Sequence, residues 1–243
     1  MQINRKIRYL VITLVLVLIF SFSLIVSCIK TEKVNEITKP SEAVPTERIK
    51  LPEPEYDSPT SIEQALFNRR SVRDYKDEPL TLTEVSQLLW AAQGITDPRD
   101  LRTAPSAGAL YPLEVYVVVG NVSNLSDGIY KYKPHGHELE RIKEGDKRAE
   151  LCIAALGQSC VKDGAIVIVF SAVYERTTQK YGERGIRYVH IEVGHAAQNV
   201  YLQAVSLNLG TVVVGAFQDD VVKMITNMPD EEHPLYIMPV GKK

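Results

Sequence analysis

The stretch from Ile186 to Leu207 has the length and apolar spacing of one long helix, closed by Gly210, and it constrains the fold more than any other segment. Such a helix needs a layer to pack on, and apolar runs suited to buried strands lie on either side, Ala165–Ala172 and Thr211–Val214. Leu113–Val119 reads as a further buried strand, Gly128–Lys133 with Leu139–Lys143 as a hairpin around His135-Gly136-His137, and Leu235–Val240 as a last strand. Ser61-Ile62-Glu63-Gln64 has capping-box spacing and predicts a helix to about Arg69. Thr81-Leu82-Thr83-Glu84 repeats the device, opening a helix with Val85, Leu88, Leu89 and Ala92 on its apolar face and a stop at Gly94. Ala149–Leu156 and the acid-capped Asp219–Thr226 read as shorter helices. Helices and strands interleave with no repeating βαβ beat and no internal repeat, which predicts an α+β layer fold rather than a doubly wound sheet.

The N-terminus follows different rules. Arg5, Lys6 and Arg8 precede an apolar run from Leu10 to Val26, and the run ends Leu24-Ile25-Val26-Ser27-Cys28. A basic head followed by an apolar run is the pattern of a secretory signal, and the last five residues resemble a bacterial lipobox with Cys28 as the lipidated residue. The alternative is an uncleaved membrane anchor, since the run is near the lower length for spanning. Either way residues 1–27 are a signal or membrane segment, and the basic flank places the rest outside the cytoplasm, tethered to the membrane. Residues 28–59 are rich in Lys, Glu, Thr and Pro and read as a flexible stalk, leaving residues 60–243 as one domain. The formal net charge of -2, with both signs mixed, gives no reason to expect nucleic acid as a partner. Cys152 and Cys160 form no CxxC and read as buried free thiols, with a disulfide as the alternative.

The chain has no GxGxxG after a strand, no P-loop, no GxSxG elbow and no HExxH. His190 and His195 are five apart on the long helix and so face different ways, which speaks against a shared metal, and His135 and His137 read as solvated in their turn. The positive signal is a pair of segments. Arg69-Arg70-Ser71-Val72-Arg73 concentrates three guanidinium groups and a hydroxyl, a set suited to an anionic ligand group. If that segment is extended, Arg69, Ser71 and Arg73 share one face and Val72 turns away. Pro105-Ser106-Ala107-Gly108 is built of small residues that let backbone approach a flat ligand. Gly215-Ala216, after the run Val212–Val214, offers a second close approach, and Lys242 near the end could flank a phosphate.

RRSVRDY, PSAGALYPLEVYVV, TQKYGERGIRYVHIEVGHAAQNVYLQA, GTVVVGAF and PLYIMPVG, in that order, resemble the nitroreductase superfamily. They are most similar to its SagB/ThcOx branch of FMN-dependent azoline dehydrogenases. The resemblance implies a mainly antiparallel sheet in an α+β sandwich, a homodimer across long helices, and one FMN at each subunit interface. It assigns Arg69, Ser71 and Arg73, with Arg70 beside them, to the flavin phosphate, ribityl chain and pyrimidine edge. Pro105, Ser106, Ala107 and Gly108 fall in a second flavin loop contributed by the neighbouring subunit, and Gly215 and Ala216 fall near the flavin N5. Lys180-Tyr181 match a pair used as catalytic base and assistant; the alternative is an exposed Lys-Tyr before a helix. The implied activity is hydride transfer to or from a small conjugated or azoline-like substrate. The competing reading is a non-catalytic lipoprotein on the same fold. Ala109 stands where many classical members carry Asn, and the distal basic segment of classical members is missing.

Overall fold

The computed structural model describes residues 47–243, so the apolar N-terminal run and Cys28 lie outside the described residues. Helix α1 (Ile62–Asn68) starts at Ser61, whose hydroxyl accepts from the Gln64 N–H at 3.2 Å. Helix α2 (Leu82–Gln93) carries the full capping box: Thr81 Oγ1 accepts from Glu84 N–H, and Glu84 Oε2 accepts from Thr81 N–H at 2.8 Å. The remaining helices are α3 (Arg148–Ala154), α4 (Cys160–Asp163), α5 (Glu175–Tyr181), α6 (Arg184–Ser206) and α7 (Asp219–Thr226). The strands are β1 (Arg48–Lys50), β2 (Leu113–Val119), β3 (Gly128–Lys133), β4 (Glu138–Glu144), β5 (Ile166–Val173), β6 (Leu209–Thr211) and β7 (Glu232–Lys242).

These strands form one sheet in the order β1-β4-β3-β2-β5-β7-β6, with every neighbouring pair antiparallel. The α+β expectation therefore holds. Two-residue alternation divides β2 and β5 between two apolar layers. Val115, Val117, Val119, Ile168 and Phe170 pack with Leu88 and Leu89 of α2 and with Val189, Val193, Ala197 and Val200 of α6. Tyr116, Val118, Val167 and Val169 face the opposite layer, with Leu151 and Cys152 of α3 and Val222 and Ile225 of α7. Cys152 and Cys160 are buried free thiols. Among the described residues no helix is long and apolar enough to cross a membrane.

The folded body begins before residue 60. β1 pairs with β4, Leu51 is buried, and the Glu55 N–H donates to Gln87 Oε1. The part of the expected stalk that is described therefore belongs to the domain. It is held partly by His137, whose expected solvated placement is also corrected. His137 is 9 % exposed; Tyr132 O–H lies 2.8 Å from its Nδ1, and Ser86 Oγ lies 2.7 Å from its Nε2. Ser86 donates its own proton to the Pro52 carbonyl, closing the chain of bonds onto the N-terminal segment. Burial moves the His137 pKa below its ordinary value. The strand expected over Thr211–Val214 is β6, which ends at Thr211, followed by a lone bridge between Val214 and Ile237.

Candidate active site

Residues 69–73 leave α1 as extended chain and run beside β6. The Val72 N–H donates to Thr211 O at 2.9 Å, and the Val72 side chain packs over Gly210, where a built Cβ would come within 2.7 Å of Val72 Cγ1. Val72 thus turns inward, as the alternation requires. On the other side a single tyrosine, Tyr201 of α6, gathers the segment. The Arg69 guanidinium lies 5.1 Å from the centre of the Tyr201 ring, and Ser71 Oγ is 3.2 Å from its hydroxyl. The same hydroxyl accepts from the Val213 N–H at 2.8 Å. Tyr201 therefore ties the arginine segment to the stretch after β6 that leads into Gly215 and Ala216, both of which are exposed. Arg70 turns back instead, donating to the Phe67 and Arg69 carbonyls. Among the described residues neither Arg69 nor Arg73 forms an ion pair with a carboxylate.

The second region is the loop from Pro105 to Pro112, which depends on left-handed backbone. Gly108, Ala109 and Tyr111 have φ of 65°, 54° and 45°. At Gly108 a built Cβ would lie 2.8 Å from Tyr181 Oη and 3.0 Å from Lys180 Nζ, so a side chain there meets both an unfavourable φ and the Lys-Tyr pair. The two residues that the resemblance implicates in catalysis are thus packed on the second loop, at the C-terminal end of α5. The Lys180 ammonium lies 5.5 Å from the Tyr181 ring centre, and Tyr188 of α6 supports that ring edge-on at 5.2 Å. The strained Tyr111 is pinned from three sides: its N–H donates to Ser106 Oγ, its hydroxyl accepts from Arg102 N–H, and its carbonyl accepts from Arg176. The Arg102 guanidinium also covers the Tyr111 ring at 4.5 Å.

Beneath this loop lies Glu192 of α6, 2 % exposed, with Oε1 lacking any hydrogen-bond partner. Burial pushes its pKa up to about 7, while Ser106 and Arg102 pull in the opposite direction.

Lys242 is placed differently from the sequence expectation. Its ammonium is 2.5 Å from Glu84 Oε1, and that carboxylate, already engaged in the capping box, is held below its ordinary pKa by the lysine and Thr81 despite partial burial. Its charge is spent on the start of α2 rather than left for a phosphate. Sequence reasoning missed Tyr201, Arg102, Tyr111 and Glu192. Tyr201 and Glu192 are polar positions within an apolar helical pattern, and only the packing shows which loops they face.

Known proteins place this architecture. The sequence profile of the nitroreductase family matches residues 66–242. The chain belongs to the nitroreductase family. A protein of Methanocaldococcus jannaschii assigned to the nitroreductases is 51 % identical over 198 residues, covering 82 % of this chain and 98 % of that one. The crystal structure of a nitroreductase-like protein from Anabaena variabilis superposes with a TM-score of 0.72 at 32 % identity, over 81 % of this chain and 42 % of that one. The Escherichia coli microcin synthetase complex McbBCD, solved with a truncated microcin precursor bound, contains a chain with a TM-score of 0.62 at 26 % identity, over 74 % of this chain and 72 % of that one. This chain is therefore a nitroreductase-family oxidoreductase, similar to a chain of a microcin synthetase complex as well as to nitroreductases.

Proposed function

We propose that the protein is an FMN-dependent oxidoreductase acting on a small conjugated or azoline-like substrate. The observation that carries this reading is the convergence on Tyr201: the Arg69 guanidinium, which has no carboxylate partner, the Ser71 hydroxyl and the Val213 N–H, two residues before the exposed Gly215-Ala216, all meet one tyrosine. Arg69 and Arg73 fit a phosphate or an electron-rich ring edge, Ser71 fits a polyol chain, and Gly215 leaves room for a ring to approach. When bound, FMN would supply hydride exchange at N5. The protein's part is to orient it, to exclude water and to move the accompanying proton. Lys180, with Tyr181 against it, is suited to hold that proton beside Gly108.

The two flavin-facing regions of one chain are well separated. Tyr188 supports Tyr181 and Tyr201 supports Arg69, thirteen residues apart on α6, or about 20 Å along the helix. That separation favours a homodimer in which each flavin is held by the arginine segment of one subunit and the Pro105–Gly108 loop of the other. Exposed Ile62, Leu66 and Phe67 of α1 and Ile186 and Ile191 of α6 supply apolar surface for such an interface. The basic head, apolar run and Ser27-Cys28 support a lipid-tethered, extracytoplasmic enzyme. A Cys28→Ala variant should leave the membrane fraction; retention there would sink the lipid anchor.

The experiment for the redox reading is an absorption spectrum of the purified protein with added FMN, before and after dithionite. Close to one flavin per chain, bleached on reduction, is the expected result. A protein that takes up no FMN would overturn it.

A further inference from the structure

A second polar centre lies between the C-terminal end of α2, the Arg102 segment, the start of β2 and the turn after β3. A cavity of about 210 Å³ opens there, walled by Leu113, Val115, Tyr132 and Pro134 and lined on its polar side by Gln93 and Arg102. Gln93 is fully buried, and its amide can point only one way. Its Oε1 accepts from Arg102 Nη1 at 2.8 Å, so the other end of the amide is the Nε2 donor. Among the described residues that donor has no acceptor, and neither has the buried Nε of Arg102. Nor does Arg102 form an ion pair with a carboxylate among them. The other charged groups around the cavity are engaged. Glu114 is bound by Lys131 at 3.1 Å and by Arg176 at 2.6 Å, and Lys133 pairs with Glu140 at 2.7 Å. His135 is exposed at the rim, its Nδ1 3.6 Å from Asp100. Buried donors left without an acceptor are costly, and two on neighbouring side chains at one cavity point to a ligand that supplies the acceptors.

We propose that this cavity binds a small organic carboxylate, whose oxygens accept from Gln93 and Arg102 while its apolar body lies against Leu113, Val115 and Pro134. Two donors, one of them cationic, call for an acceptor with two oxygens and a negative charge, and a carboxylate matches the guanidinium edge left after Nη1 is committed to Gln93. A neutral occupant would leave the cation unmatched in a site whose burial already lowers the Arg102 pKa from its ordinary value. The volume sets the size. It falls below the roughly 300–1,000 Å³ of drug-sized sites and suits a single ring or a short chain. The Arg102 guanidinium also covers the Tyr111 ring at 4.5 Å, so the occupant shares its cation with the strained loop. Binding here requires no flavin and goes beyond the redox reading.

The test is calorimetric titration of the full chain with sodium benzoate at constant ionic strength, with benzyl alcohol as a neutral ring of similar size. The parent should bind benzoate about tenfold more tightly than benzyl alcohol, the worth of a hydrogen bond to a charged group. Gln93→Leu removes the amide donor at similar volume, and Arg102→Met removes the cation but keeps the backbone N–H that holds Tyr111. Each should weaken benzoate binding about tenfold and leave benzyl alcohol unchanged. A parent that takes up no benzoate at about 10 mM overturns the site. Equal affinity for the two ligands overturns the carboxylate assignment, and this arm needs only the parent chain if a variant folds poorly. Benzoate affinity that survives both substitutions also overturns the site; a carboxylate stacked on bound flavin would behave in that way and would shift the flavin absorption.

Discussion

The arginine segment and the Pro105–Pro112 loop face the same expected ligand but are built in opposite ways. Residues 69–73 adopt ordinary extended backbone, latched by one main-chain bond from Val72 to Thr211 and by the Tyr201 hydroxyl. The loop holds three residues at positive φ, and Ser106, Arg102 and Arg176 bond Tyr111 to keep it there. The first region presents charge on a relaxed chain. The second places backbone and a Lys-Tyr pair on a strained chain held by hydrogen bonds to Tyr111. Loss of the first should abolish binding, whereas loss of the second should spoil chemistry and stability before it abolishes binding.

The largest effect that would break this contrast is on binding. Replacing Arg69 and Arg73 together by Ala should weaken FMN affinity on the order of a hundredfold or more, since each removes a charge-assisted bond; a flavin titration reads it. If affinity survives, the first region is not the anchor. Gly108→Val should lower the melting temperature, costing about 1–3 kcal/mol for the left-handed φ alone, and should depress turnover more than flavin content through the Lys180 and Tyr181 contacts. Equal losses in both would erase the distinction between the regions.

Glu192 sharpens the contrast through stability. Its ordinary pKa of 4.5 rises to about 7 on folding, so between those values the folded chain holds a proton that the unfolded chain has lost. The stability this proton confers is full below about 4.5 and is lost as pH rises through 7. Glu192→Gln should therefore be stabilising relative to the parent by about 1–3 kcal/mol at neutral pH and above, and by little in acid. Thermal melts across that range measure it, and a constant difference would argue that the buried carboxyl does not change charge there. The smallest expected effect is at Lys242. Because its charge is paired with Glu84, Lys242→Ala should change FMN affinity less than about threefold while costing up to about 1 kcal/mol of stability. A large loss of affinity would return Lys242 to the binding set.

The relaxed region is also the legible one. Capping signals at Ser61 and Thr81, the apolar run Leu113–Val119 and the long apolar spacing of α6 are local, so most elements could be read from residues a few positions apart. The turn of Arg69 and Ser71 to one side and Val72 to the other was legible for the same reason. Three things were not. β1 is only Arg48–Lys50, a polar segment whose partner, Glu138–Glu140, lies ninety positions away. His137 looks like a turn residue until Ser86 and Pro52 close around it. Glu192 and the left-handed Tyr111 are set by contacts among α6, the loop and Arg102 that no local pattern encodes. α5, which carries Lys180 and Tyr181, has Thr177 as its one buried residue, so it shows no apolar face to read.

Strand β1 has a mechanical consequence. It is the outermost strand of the sheet and the point where the folded body receives the chain that precedes it, so tension along that chain enters through β1. Its register comprises three residue pairs, Arg48–Glu140, Ile49–Leu139 and Lys50–Glu138, and a pull at its leading end would open them one after another. The next resistance is the His137–Ser86–Pro52 knot, through which the load first reaches α2 at Ser86. A pulled molecule should thus yield a few residues of slack at low force while the rest of the sheet, and the surfaces proposed to hold flavin, remain intact.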